Sequence, residues 1–145
     1  MHFWYSILCD THGNIPIQTS FSEEIPVQST RKQVFDFIIN ELKEVMPICL
    51  LKSINPLMAD SLNGGPNAWM ARMYLNAGVY TGTPMWNECL EQCNDIINSG
   101  LFSLETNYTD IFKTENSGCV ETIFAIPYDE VIMKGTTMVL FLEPT

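Results

Sequence analysis

The stretch from Asn63 to Gly78 constrains this chain more than any other, because it carries the punctuation of a complete helix. Gly64 and Gly65 break the chain before it, and Pro66 suits a first helical position, where its missing N–H costs nothing. Gly78 is placed to close the helix in the left-handed conformation. Between these marks Trp69, Met70, Met73, Tyr74 and Ala77 repeat at helical spacing and make one broad apolar face. Leu75, Ala68 and Ala71 leave the far side fairly apolar as well, so this helix belongs in the middle of a helical array.

The next segment supplies a partner. Thr83 is read as a cap and Pro84 as the first residue of a helix carrying Trp86, Leu90, Cys93 and Ile97 as an apolar stripe. Asn87, Glu88, Glu91, Asn94 and Asp95 form its wet face, and Gly100 stops it. The connection over residues 79–82 is short, so the two helices are expected to pack antiparallel with Trp69, Met73, Leu90 and Cys93 buried.

Upstream, Thr30 and Gln33 spell a capping box. The helix behind it, expected over residues 30–45 and ended by Pro47, buries Val34, Phe35, Ile38, Leu42 and Val45. Asp36, Asn40, Glu41, Lys43 and Glu44 face water, and residues 47–63 read as a loop. Residues 2–9 look like the closing turns of another helix, with Trp4 inside, broken by residues 10–14. The segment Ile15-Pro16-Ile17 runs extended, and residues 18–29 form a polar loop. Past residue 104 the pattern changes: Tyr108, Ile111 and Phe112 make an apolar turn, residues 121–126 read as a short strand or extended segment, and residues 138–142 are apolar again. The fold class is therefore mainly α, with helical hairpins and a short extended segment near the C-terminus. The 145 residues read as one domain, with a helical core over about residues 30–104 and an irregular part over residues 105–145.

Composition narrows the function. Seventeen acidic against seven basic residues give a net charge of −10, which disfavours nucleic acid as a partner. The five cysteines include Cys89 and Cys93 one helical turn apart, but no histidine or second pair stands nearby to complete a tetrahedral metal site. They read as small buried residues, and neither a metal nor a cofactor is expected. His2 and His12 lie far from any nucleophile in a recognisable setting, and the carboxylates of Glu23-Glu24 or Asp129-Glu130 are adjacent rather than spaced as an acid/base couple. No enzyme is indicated. Trp69 and Trp86 sit on apolar stripes and read as core. Tyr128, Asp129 and Glu130 leave the helical scaffold after Pro127 and form the candidate ligand-binding residues, a ring that stacks on a sugar beside carboxylates that accept from its hydroxyls.

Several pieces, in order, resemble one family, the SusD/RagB-like nutrient-binding lipoproteins of the Bacteroidetes outer membrane. Gly13-Asn14-Ile15-Pro16-Ile17 is similar to its G-[ND]-[VI]-P-[LI] element, and the capped helix beginning Thr30-Arg31-Lys32-Gln33 follows as it does there. Ala71-Arg72-Met73-Tyr74-Leu75-Asn76-Ala77-Gly78 resembles L-A-R-x-Y-L-x-x-G. Trp86, then Ile96-Ile97-Asn98-Ser99-Gly100-Leu101-Phe102, resembles W…V-I-x-S-G-x-Y. Tyr108-Thr109-Asp110-Ile111-Phe112 and Glu121-Thr122-Ile123-Phe124 are similar to Y-x-D-L-F and E-x-I-[FW].

The resemblance implies tetratricopeptide-like hairpins and a non-catalytic function. It implies binding of an oligosaccharide or polysaccharide at the cell surface, and delivery to a SusC-like TonB-dependent transporter in the outer membrane. Family members are several-fold longer, so a middle portion is implied, with the lipid anchor expected in the full-length protein and absent from this chain. The rival expectation is a generic helical-repeat scaffold that binds a protein or peptide.

Overall fold

The structure is a computed structural model that describes residues 2–21, 23, 25–51, 56–113, 116 and 118–124. It is mainly α. In chain order the elements are α1 (His2–Thr11), β1 (Ile15–Pro16), β2 (Gln28–Ser29), α2 (Arg31–Leu51), α3 (Pro56–Leu75), α4 (Ala77–Thr81), α5 (Trp86–Ser99) and a 3-10 turn at Tyr108–Phe112. No described helix is long and apolar enough to cross a membrane.

The capping box forms as written: the Gln33 N–H donates to Thr30 Oγ1 at 3.3 Å and the Thr30 N–H donates to Gln33 Oε1 at 2.8 Å. From this cap α2 turns Val34, Phe35, Ile38 and Leu42 inward, all essentially sealed from solvent. They meet Met70, Met73 and Tyr74 of α3, Ala77 and Tyr80 of α4, and Cys9 of α1 in one core. The loop before α2 holds one element that the composition hides. Gln28 and Ser29 pair antiparallel with Pro16 and Ile15, closing the polar loop at its base.

Four boundaries differ from the sequence reading. First, α2 does not end before Pro47 but runs through it to Leu51. The proline removes the N–H that would otherwise donate to the Lys43 carbonyl, at an exposed residue of the helix. Second, Gly64, Gly65 and Pro66 do not precede the central helix; α3 begins at Pro56 and passes through all three. The glycines serve tertiary packing. A Cβ on Gly64 would stand 2.5 Å from the Phe102 ring, and one on Gly65 would stand 3.4 Å from Phe124.

Third, the central helix does not close at Gly78. It breaks at Asn76, whose side-chain amide donates to the Arg72 carbonyl at 3.0 Å, and resumes as α4. Closure comes at Gly82, with φ +80° and its N–H on the Gly78 carbonyl at 3.0 Å. Fourth, Thr83 and Pro84 precede α5 without capping it; Met85 holds the cap position, and the Thr83 N–H donates to Thr81 Oγ1 at 3.1 Å. Gly100 ends α5 as expected, at φ +66°.

The hairpin of α3 and α5 is antiparallel: Asn67 Nδ2 donates to Gln92 Oε1 at 3.3 Å, while Gly64, one turn earlier, abuts Phe102, well beyond Gln92. Its contact face differs from the expected stripe. Met85, Cys89, Gln92, Cys93 and Ile96 turn toward the body, whereas Trp86, Leu90 and Ile97 are 59%, 60% and 71% exposed. The apolar stripe is rotated by about one residue from the packing face, so Leu90 and Trp86 are surface residues and only Cys93 of the pair is half-buried. Met73 is buried and Trp69 partly so. Trp4 is likewise exposed, because α1 presents Ser6 and Cys9 inward.

After α5 the described residues fold back on the hairpin without a strand ladder among them. The Ser103 N–H reaches the Val120 carbonyl at 3.1 Å, and two carboxylates complete the pairing. Glu121 Oε2 accepts from the Glu105 N–H and Glu105 Oε1 from the Val120 N–H, each at 3.0 Å. Residues 121–124 run as turn and bend. Residues 125–126 and the apolar run at 138–142 lie outside the described residues.

Candidate functional site

The core leaves two recesses on the described surface. One lies between α1 and the α3–α4 segment, about 320 Å³, with Phe3, Asp10, Trp69, Arg72 and Tyr80 in its walls. Most of its polar groups are already engaged. Ser6 Oγ donates to the Phe3 carbonyl at 2.7 Å, Thr11 Oγ1 to the Ile7 carbonyl at 2.8 Å, and the Tyr80 hydroxyl to Asp10 Oδ1 at 3.0 Å. Burial, then the neighbouring Asp10 carboxylate, pushes the Tyr80 hydroxyl up to about 12. Arg31 lies over the Tyr80 ring at 4.8 Å and donates to the Cys9 and Asp10 carbonyls at 2.9 Å each. These contacts tie the C-terminus of α1 to the start of α2 and to α4. The Trp69 indole N–H is buried without a partner among the described residues, and its ring is covered by Phe3 at 5.2 Å and Arg72 at 5.6 Å. Trp69 is therefore a packing residue and no open stacking platform.

The second recess is a groove of about 460 Å³ between α2 and the α3–α5 hairpin. One turn after another, α2 lays Asp36, Asn40 and Lys43 along one edge, at positions i, i+4 and i+7. Glu88, from the first turn of α5, stands on the other edge. The floor is Phe35, Ile39, Tyr74 and Met85. Phe35 and Tyr74 pack edge-to-face with centroids 6.4 Å apart. Tyr74 is only 7% exposed. An apolar floor under a polar rim of both charge signs suits a small ligand with an apolar face and a hydroxylated edge.

The sequence offered these rim residues only as the wet faces of two separate helices. What it did not reveal is that the two wet faces confront one another across Tyr74, since that depends on how α2 and α5 both lie against α3. Tyr128, Asp129 and Glu130 lie outside the described residues. Among the described residues no group of three or more His, Cys, Asp or Glu side chains is arranged to hold a metal ion. Cys89, Cys93 and Cys119 are partly buried free thiols; burial, then the adjacent Cys93, raises the Cys89 thiol above its ordinary range. His12 shares a 2.7 Å hydrogen bond with Thr11 Oγ1 at the exposed end of α1.

Comparison with known proteins follows the fold. No family model matches the chain. The starch-binding protein SusD of Bacteroides thetaiotaomicron is 33% identical over 119 residues, which cover 80% of this chain and 20% of that protein. The chain thus spans about a fifth of the length of that curated relative. In fold it is similar to surface glycan-binding protein A from Bacteroides uniformis, with a TM-score of 0.59 and 23% identity, over 88% of this chain and 29% of that one. At that identity the second likeness speaks to the fold alone. Both proteins are named for binding.

Proposed function

We propose that this chain, which is SusD-like in sequence over 80% of its length, is part of a non-catalytic glycan-binding protein of the bacterial outer membrane. The observation that carries the reading is the 33% identity to a protein named for binding starch. The mainly α hairpin architecture agrees with it. In this reading the protein holds oligosaccharide at the cell surface and hands it to a TonB-dependent, SusC-like transporter. Tyr128, Asp129 and Glu130 supply one contact, the ring stacking on a sugar face and the carboxylates accepting from its hydroxyls.

Calorimetric titration of the chain with soluble starch fragments and other neutral oligosaccharides tests this reading. Saturable heat with at least one glycan, unaccompanied by new reducing ends, is the expected result. Glycan cleavage, or no heat across the panel, would overturn it. The rival reading, a helical-repeat scaffold for a protein partner, is favoured by the exposed ridge of Trp86, Leu90 and Ile97 on α5. It predicts no glycan heat at all.

A further inference from the structure

The two cysteines of α5 stand outside the glycan reading and carry chemistry of their own. Cys89 and Cys93 follow each other by one helical turn, so both side chains leave the same face of α5. That face is turned toward the body, yet both residues stay partly exposed and both thiols are free. Burial first, and then the Cys93 thiol in hydrogen-bond contact with it, hold the Cys89 proton more firmly than usual. Met85, one turn earlier, extends the row with a thioether, so sulfur-bearing residues occupy three successive turns of one face.

Geometry decides between two uses of such a pair. A disulfide needs its Cβ atoms about 3.5–4.5 Å apart, whereas residues four apart on a helix hold theirs at about 5–6 Å. Direct oxidation would therefore have to distort the first turns of α5. The same gap closes without distortion when one ion stands between the two sulfurs. The number of donors then selects the ion. Structural zinc takes four ligands, and among the described residues no third His, Cys, Asp or Glu is arranged to join the pair. Copper(I) is soft, prefers thiolate and thioether sulfur, and is satisfied by two thiolates in a linear arrangement.

We propose that Cys89 and Cys93 form a two-coordinate site for a soft monovalent metal ion, copper(I), held across one turn of α5. Two S–H bonds are exchanged for two S–Cu bonds, two protons leave to solvent, and the copper keeps its +1 state, so nothing is oxidised or reduced. The assignment is independent of the glycan reading.

The test is an anaerobic titration of the full, reduced chain with copper(I) supplied as its bicinchoninate complex, with the protein in excess over copper. The chain should withdraw copper from the coloured chelate, and a thiolate-to-copper charge-transfer absorption should appear in the ultraviolet. Cys89→Ser and Cys93→Ser should each weaken capture about a hundredfold or more, because a single thiolate loses the chelate. Cys119→Ser should leave it unchanged, and circular dichroism beside each titration separates lost capture from lost folding. A second readout needs no variant: in the parent chain, bound copper should shield Cys89 and Cys93 together from alkylation by iodoacetamide, read by peptide mass spectrometry. Capture that survives the loss of either cysteine, or alkylation of both in the copper-loaded chain, overturns the site. Zinc(II) held as tightly as copper(I) overturns the two-coordinate argument and with it the proposal.

Discussion

The side-chain oxygen of Asn14 accepts the backbone N–H of Arg31 at 2.8 Å, so the turn after α1 caps the first residue of α2. Arg31 answers with its guanidinium, closing off two carbonyls at the end of α1. Two motifs seventeen residues apart thus cap each other's helices. Gly13 makes this possible: it sits at φ +75°, a backbone conformation in which any side chain would be strained.

This mutual cap predicts that Asn14→Ala destabilises the chain by about 1 kcal/mol, the usual cost of a lost helix cap. Arg31→Met, which leaves the Asp10 carbonyl without this partner while Cys9 keeps the Gly13 N–H, should cost about 1–2 kcal/mol. Asn14→Asp should retain most of the stability, because a carboxylate accepts the same bond. Urea denaturation followed by circular dichroism measures all three, and equal stability of Asn14→Ala and the parent would refute the cap.

The close approach at Gly64 predicts a second loss. Gly64→Ala drives a methyl group into the Phe102 ring and should cost about 1–3 kcal/mol, the range for overpacking. Adding Phe102→Ala should recover part of that, a coupling that a double-mutant cycle reads directly. Gly82→Ala meets no neighbour, yet at φ +80° it should still cost about 1–2 kcal/mol from backbone strain alone. No rescue by Phe102→Ala is expected there.

The rotated stripe on α5 predicts a contrast. Leu42→Ala empties a fully buried site and should cost about 2–5 kcal/mol. Leu90→Ala removes a side chain that is 60% exposed and should stay within about 0.5 kcal/mol. A large loss at Leu90 would mean that α5 is turned the other way on α3.

The Tyr80 hydroxyl predicts a pH dependence. Its value is raised from 10.0 to about 12, by burial first and by Asp10 second. The folded protein therefore holds this proton more tightly than the unfolded chain, and the contribution of Tyr80 to stability is constant below pH 10. It should fall as the pH rises from 10 toward 12, where only the unfolded chain releases the proton readily. Ultraviolet titration should show one tyrosine ionising about two units late, and Tyr80→Phe should abolish that component.

Some local signals in the sequence were reliable, although Pro47 and Thr83, also local, did not end α2 or cap α5. The box of Thr30 and Gln33, the stop at Gly100 and the inward face of α2 all depend on neighbours within a few residues, and all are found where the sequence put them. Several of the failures share one cause. Gly64 and Gly65 looked like a chain break because glycine weakens a helix, but the deciding contact is with Phe102, nearly forty residues away. The stripe of Trp86, Leu90 and Ile97 looked like core because it has helical spacing, yet spacing fixes only that a face exists, not which face is covered. Gly78 looked like a cap because glycine often is one, while Asn76 and Gly82 divide that task. The groove was illegible for the same reason: it is made by two polar faces that meet only after α2 and α5 have both docked on α3.

The most direct test of the account is electrophoresis of the folded chain through native gels that contain soluble starch or another neutral polysaccharide, beside gels without it. A glycan-binding SusD-like protein is retarded in at least one polysaccharide gel, relative to a non-binding marker, and competing oligosaccharide restores its mobility. Equal mobility in every gel, from a chain whose circular dichroism shows it folded, would contradict the assignment of glycan binding to this part of the molecule.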